Sequence, residues 1–115
     1  MIAVIFEVWP AQGRKDDYLK IAATLRADLD RIDEFISVER FQSLSDPQKL
    51  VSLSYWRNEE AVKNWRNNSK HRESQTKGRG GIFSDYRLRV ATVMRDYVLT
   101  ERAEVPNDSR EIHDA

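Results

Sequence analysis

Trp65, His71, Arg79 and Tyr86 are residues of the types that deprotonation and oxidation of a small ring would need, and they lie close together in the chain. An aromatic wall of Trp65 and Tyr86 can hold a planar molecule. A histidine can take a proton near neutral pH, and an arginine can stabilise the oxyanion that results. Arg66 is an alternative to Arg79 in that last role. The set suits proton abstraction from a phenol, whose pKa, like that of tyrosine, is about 10. His71 is the histidine of the patterned part of the chain, since His113 falls in the last few residues. Glu7 is the second candidate base, because a carboxylate enclosed within a sheet has its pKa raised. Each residue also has a plainer use. A large aromatic at helical spacing usually packs in a core, a histidine in a polar segment caps or faces water, and a tyrosine at the start of a strand makes cross-strand pairs.

The elements that must position these side chains are read from periodicity. Ile2, Val4, Phe6 and Val8 alternate with Ala3, Ile5, Glu7 and Trp9, which predicts an interior strand ended by Pro10. Tyr18, Ala22, Leu25, Leu29 and Ile32 recur at intervals of three and four, one stripe of a helix whose first turn carries Asp16 and Asp17. Residues 35–43 and 49–56 read as a hairpin around Asp46-Pro47. Asn58 is placed to cap a second helix with Glu59 and Glu60 in its first turn and Ala61, Val62 and Trp65 on its apolar face. Ser69 is placed to cap a further short helical piece carrying His71 and Gln75 on one face. After Gly78, Gly80 and Gly81, residues 82–99 read as one long strand. Its second half has apolar residues on both faces, which predicts burial by a partner chain through Val93, Met94, Tyr97 and Leu99. Residues 1–100 make one domain, and residues 101–115 read as a polar, flexible tail. The order strand, helix, strand, strand, helix, strand is an α+β, ferredoxin-like (βαββαβ) antiparallel sheet with its helices on one face.

Composition bounds the chemistry. The 115 residues are 40% hydrophobic and 33% charged, with zero net charge, a globular balance. No cysteine is present, so disulfides, thiolate metal sites and cysteine nucleophiles are excluded, and two histidines make a histidine-rich metal site a poor expectation. The apolar run at the N-terminus is too short for a membrane span, and the chain reads as cytoplasmic. From Lys63 to Arg89 eight Lys and Arg stand against Glu73 and Asp85. That stretch can face an anionic small molecule or simply be a solvated basic face; no nucleic-acid motif accompanies it.

The segment SLSYWRNEEAVKNWRNNSKHRESQTKGRGGIFSDYRLRVATVMRDY, with the strand IAVIFEVWP and VERFQS, resembles the antibiotic biosynthesis monooxygenase domain family over residues 1–99. The resemblance implies a homodimer, in which the last strand reaches across to a second copy to form a dimeric α+β barrel. It implies oxygenases that convert phenolic molecules to quinones using O2 without flavin, haem or metal, hence no cofactor and a small aromatic substrate. Two other readings stay open. Related members bind or degrade haem through a strand-one asparagine, a tryptophan and a histidine ten residues beyond it. Trp65 matches, but no asparagine stands in residues 1–9 and Gln75 occupies the histidine position, with His71 one helical turn earlier. The third reading is a non-catalytic dimer that binds a small aromatic.

Overall fold

A computed structural model describes residues 1–68, 76 and 78–113, those at 78, 79 and 113 by their backbone alone. Its elements are β1 (Ile2–Pro10), α1 (Lys15–Asp30), β2 (Phe35–Gln42), β3 (Leu50–Trp56), α2 (Glu59–Arg66), β4 (Phe83–Thr92) and α3 (Asn107–His113). The strands form one antiparallel sheet in the order β2-β3-β1-β4. This is the ferredoxin-like arrangement that the sequence predicts. No helix among the described residues is long and apolar enough to cross a membrane.

Local chemistry sets the boundaries. The Asn58 side chain accepts a hydrogen bond from the Ala61 amide (2.9 Å), the expected cap of α2. In the β2–β3 turn the Asp46 carboxylate accepts from the Gln48 amide at 3.0 Å and from the Trp9 indole at 2.9 Å, tying the turn to β1. Before β4, Gly81 adopts φ +113°, a backbone that glycine reaches without strain, and the Ile82 carbonyl accepts from the Ala11 amide at 2.8 Å.

Register assigns the two faces of the sheet. Val4, Phe6 and Val8 lie opposite Val90, Leu88 and Tyr86 on one side and opposite Ser54, Ser52 and Leu50 on the other. This is the face that α1 and α2 cover. One core cluster joins Leu29 of α1 to Trp56, Ala61, Val62 and Trp65; a second joins Tyr18 to Val8, Leu50 and Ile82. Side chains alternate along a strand, so Ile5, Glu7, Trp9, Arg87 and Arg89 project from the other face.

The final strand is shorter than its pattern predicts. It ends at Thr92, opposite Ile2, and one further bond joins the Val93 amide to the Met1 carbonyl. The recorded ladder stops at this pair, and apolar alternation alone does not extend it. Residues 93–100 carry no regular structure, and Met94 and Leu99 are 81% and 89% exposed. The chain accordingly measures 54 × 34 × 19 Å with a radius of gyration of 16.9 Å. A compact chain of this length has about 13 Å. The C-terminal residues also differ from a structureless tail: Val105 is buried and α3 closes the described chain.

Candidate functional site

The helix-covered face is not covered evenly. Over β3 the tryptophans are sealed: Trp56 meets Phe35 edge to face (5.3 Å between centroids) and lies tilted against Trp65 (6.4 Å), and the Trp56 indole donates to Ser54 Oγ at 2.9 Å. Over β4 the same face is open. Tyr86, Leu88 and Val90, successive residues on that face, are 42%, 50% and 48% exposed. At one end of this row four rings meet. Phe83 lies 5.8 Å from Phe6, 5.6 Å from Tyr18 and 6.2 Å from Tyr86, and Phe6 lies 5.7 Å from Tyr86.

The floor of this open region is formed by Val4 and Phe6 with Val90, Leu88 and Tyr86, and Val8 is buried beneath its end. Among the described residues of this floor the one polar side-chain group is the Tyr86 hydroxyl. Such a surface holds an apolar ring by area and edge-to-face contact, and offers one hydrogen bond to orient it.

The predicted site residues divide accordingly. Tyr86 is 42% exposed on this face, beside the rings of Phe6 and Phe83. Trp65 is not a ligand wall: at 8% exposure it is a core residue between Trp56 and α1, because the apolar stripe of α2 turns it inward. The rings beside Tyr86 are those of Phe6 and Phe83. Sequence reasoning gave Phe6 only a place in a strand, although it shares the helix-side parity of Val4 and Val8 and falls opposite the β4 row. Arg66 is the exposed last residue of α2. Arg79 lies in the turn Gly78–Ile82 and is described by its backbone alone. His71 and Gln75, with the short helical piece expected to carry them, lie outside the described residues.

Glu7 requires correction. It projects from the opposite face of the sheet, away from Tyr86, and is paired with Lys49 Nζ at 3.3 Å and Arg89 Nη1 at 3.0 Å. The hydrogen bond from Lys49, aided by the charges of Lys49 and Arg89, holds its carboxyl below the ordinary value, where a raised pKa was expected. A carboxylate so stabilised, on the far side of the sheet, is not the base of a site built on β1 and β4. Among the described residues no group of three His, Cys, Asp or Glu side chains is arranged to hold a metal ion.

Residues 1–77 match the family model described as antibiotic biosynthesis monooxygenase. The chain is similar to the jasmonate monooxygenase ABM of Pyricularia oryzae, at 44% identity over 115 residues that cover 99% of this chain and 54% of that protein. It is also similar to protein YqjZ of Bacillus subtilis, at 33% identity over 51 residues, covering 44% of this chain and 45% of that one. The chain thus spans about half the length of one relative and matches about half of the other. Among solved structures, one assigned to antibiotic biosynthesis monooxygenases from Deinococcus radiodurans superposes with a TM-score of 0.77 at 9% identity, covering 86% of this chain and 98% of that one. Rv0793 of Mycobacterium tuberculosis gives 0.75 at 13% identity, covering 84% and 98%. At these identities the two structures speak for the fold.

Proposed function

Since the chain belongs to the antibiotic biosynthesis monooxygenase family, we propose that it is a monooxygenase whose small, largely apolar ring substrate lies on the helix-side face of β1 and β4. The observation that carries this reading is the open row Tyr86–Leu88–Val90 ending in the rings of Phe6 and Phe83. A phenol or hydroquinone-like molecule is the substrate that needs least from outside. In phenol-to-quinone oxidation one oxygen atom of O2 becomes the new carbonyl and the other leaves as water. The substrate itself supplies all the electrons, so neither flavin, haem nor metal is required. In this reading His71 takes the phenolic proton and Arg66 or Arg79 faces the phenolate. Oxygen uptake with a panel of phenols, using protein stripped of metal and flavin, tests it. His71→Ala is expected to lower turnover about a hundredfold while leaving the fold intact. No uptake with any phenol would overturn the reading.

The name of the Pyricularia oryzae relative favours a second substrate class, an alicyclic ketone bearing a carboxylate. Hydroxylating a C–H bond of such a molecule consumes two electrons that the substrate does not provide. Jasmonate turned over only when a reductant such as NADPH is added would move the assignment to this class. A Soret shift on adding stoichiometric haem would move it to haem binding.

The same reading includes a homodimer. Met94 and Leu99 are large apolar side chains left in water on a projecting segment, and a second copy is the surface the family resemblance supplies for them. Sedimentation at micromolar concentration is expected to give a dimer that Leu99→Asp dissociates. A monomeric wild type would overturn this part.

A further inference from the structure

The face of the sheet turned away from α1 and α2 is ordered in rows that run from one edge strand to the other. Glu39, Leu53, Ile5 and Arg89 stand side by side on β2, β3, β1 and β4. The row on one side of it is Phe41, Val51, Glu7 and Arg87, and the row on the other is Ser37, Tyr55, Ala3 and Ala91. Directly opposed residues of antiparallel strands share a face, so all three rows project the same way.

The two edges of this face differ in charge. Glu39 is exposed at the β2 edge, and Arg87 and Arg89 are exposed at the β4 edge. Among the described residues neither Glu39 nor Arg87 forms an ion pair. Glu7 is answered twice, by Lys49 at 3.3 Å and by Arg89 at 3.0 Å, so two cations share a single carboxylate and the group keeps a positive excess. Between the edges lie Leu53, Ile5, Val51 and Tyr55, each partly exposed, and Phe41 beside them is 44% exposed.

These rows complement themselves. A half-turn about an axis parallel to the strands, midway between β3 and β1, lays β2 of one copy over β4 of another and β3 over β1, and keeps every residue in its row. Each row then meets its own reverse. Glu39 falls against Arg89 and Leu53 against Ile5; Phe41 falls against Arg87, a ring facing a cation; and Tyr55 falls against Ala3, large against small. Val51 falls against Glu7, whose charge Lys49 and Arg89 already hold. A half-turn about an axis across the strands would instead lay each edge on its own copy, arginine on arginine and Glu39 on Glu39, which like charges oppose.

We infer that this face is the centre of the homodimer, with two copies packed sheet to sheet about an axis parallel to the strands and Glu39 of each paired to Arg89 of the other. The inference rests on the homodimer reading above and adds the surface and its orientation. Aligned sheets pack about 10 Å apart with their strands within about 30° of one another, a gap that a glutamate and an arginine facing each other span. Arg89 holds Glu7 through Nη1, and a guanidinium has further N–H donors for a second carboxylate.

The chain has no cysteine, so Glu39→Cys and Arg89→Cys, each made in the full chain, can be mixed and treated with a bismaleimide that spans about 10 Å, the spacing of stacked sheets. The mixture is expected to give a covalent dimer and each variant alone little, because like edges then lie apart by the width of the sheet, about 14 Å. Sedimentation gives the second measurement. Glu39→Arg sets like charges at both ends of the row and is expected to raise the dimer dissociation constant about tenfold or more at low salt, and Glu39→Gln by less, both effects shrinking as salt rises. Unchanged circular dichroism in these exposed variants checks that the fold is intact. A wild-type dimer in which the mixture fails to crosslink, in which Glu39→Cys crosslinks to itself instead, or in which Glu39→Arg leaves the dissociation constant unchanged overturns the inference while the homodimer stands. A monomeric wild type overturns both.

Discussion

The two aromatic groupings on the helix-covered face have opposite fates. Trp56 of β3 and Trp65 of α2 are sealed against each other with Leu29 of α1, whereas Tyr86, with Phe6 and Phe83 behind it, fronts an apolar row open to water. Both groupings are aromatic, and both sit on the same side of the same sheet. What separates them is cover. Strands β3 and β1 are the inner strands beneath the helices, while β4 is one of the two edge strands and keeps about half of its row exposed. An aromatic cluster is therefore a candidate binding surface where the fold runs out of helix to lay over it.

The comparison can be broken most forcefully on the sealed side. Trp56→Ala is expected to cost about 3–5 kcal/mol, the usual scale for emptying a buried tryptophan site, seen as a lower denaturation midpoint. A loss below about 1 kcal/mol would mean that this cluster is not the core. On the open side the balance should invert. Tyr86→Ala is expected to change stability by less than about 1 kcal/mol, yet to weaken binding of an aromatic probe about tenfold through loss of ring contact. Next in size is the cap of α2, which holds Trp65 over Trp56. Asn58→Ala should cost about 1 kcal/mol, and Asn58→Asp should retain most of that.

The smallest effect belongs to the uncovered face. Folding lowers the Glu7 pKa, so the contribution of its pairs with Lys49 and Arg89 is complete above the ordinary carboxylate range. It is lost as pH falls through the folded value. Glu7→Gln should therefore flatten the acid limb of the stability curve slightly and leave neutral-pH turnover unchanged. A large fall in turnover would put Glu7 back among the candidate bases.

Much of the fold was legible because each element states its own period and ends. Alternation in residues 2–9, the Asp46-Pro47 turn and the Asn58 cap are local signals, and the observed elements follow them. The site was less legible, because it depends on what lies above and beside each residue. Glu7 read as an enclosed carboxylate until Lys49 of the turn and Arg89 of β4 were seen on either side of it. Trp65 drew attention as the largest ring in a polar segment, although its stripe on α2 already pointed inward. The end of β4 could not be read from its own residues at all, since a ladder depends on the strand beside it.

The order of strands also implies an order of solvent exchange at the backbone. β1 is hydrogen-bonded on both sides, to β3 and to β4, while β4 is bonded on one side only. Along an edge of an antiparallel pair, alternate amides point outward with no strand to receive them. In deuterated water the amides of Ala3 to Val8 should be among the slowest to exchange, and every second amide of β4 among the fastest within the sheet. The strand that carries Phe6 is then the least mobile part of the candidate site, and the strand that carries Tyr86 is the part best able to adjust to what lies on it.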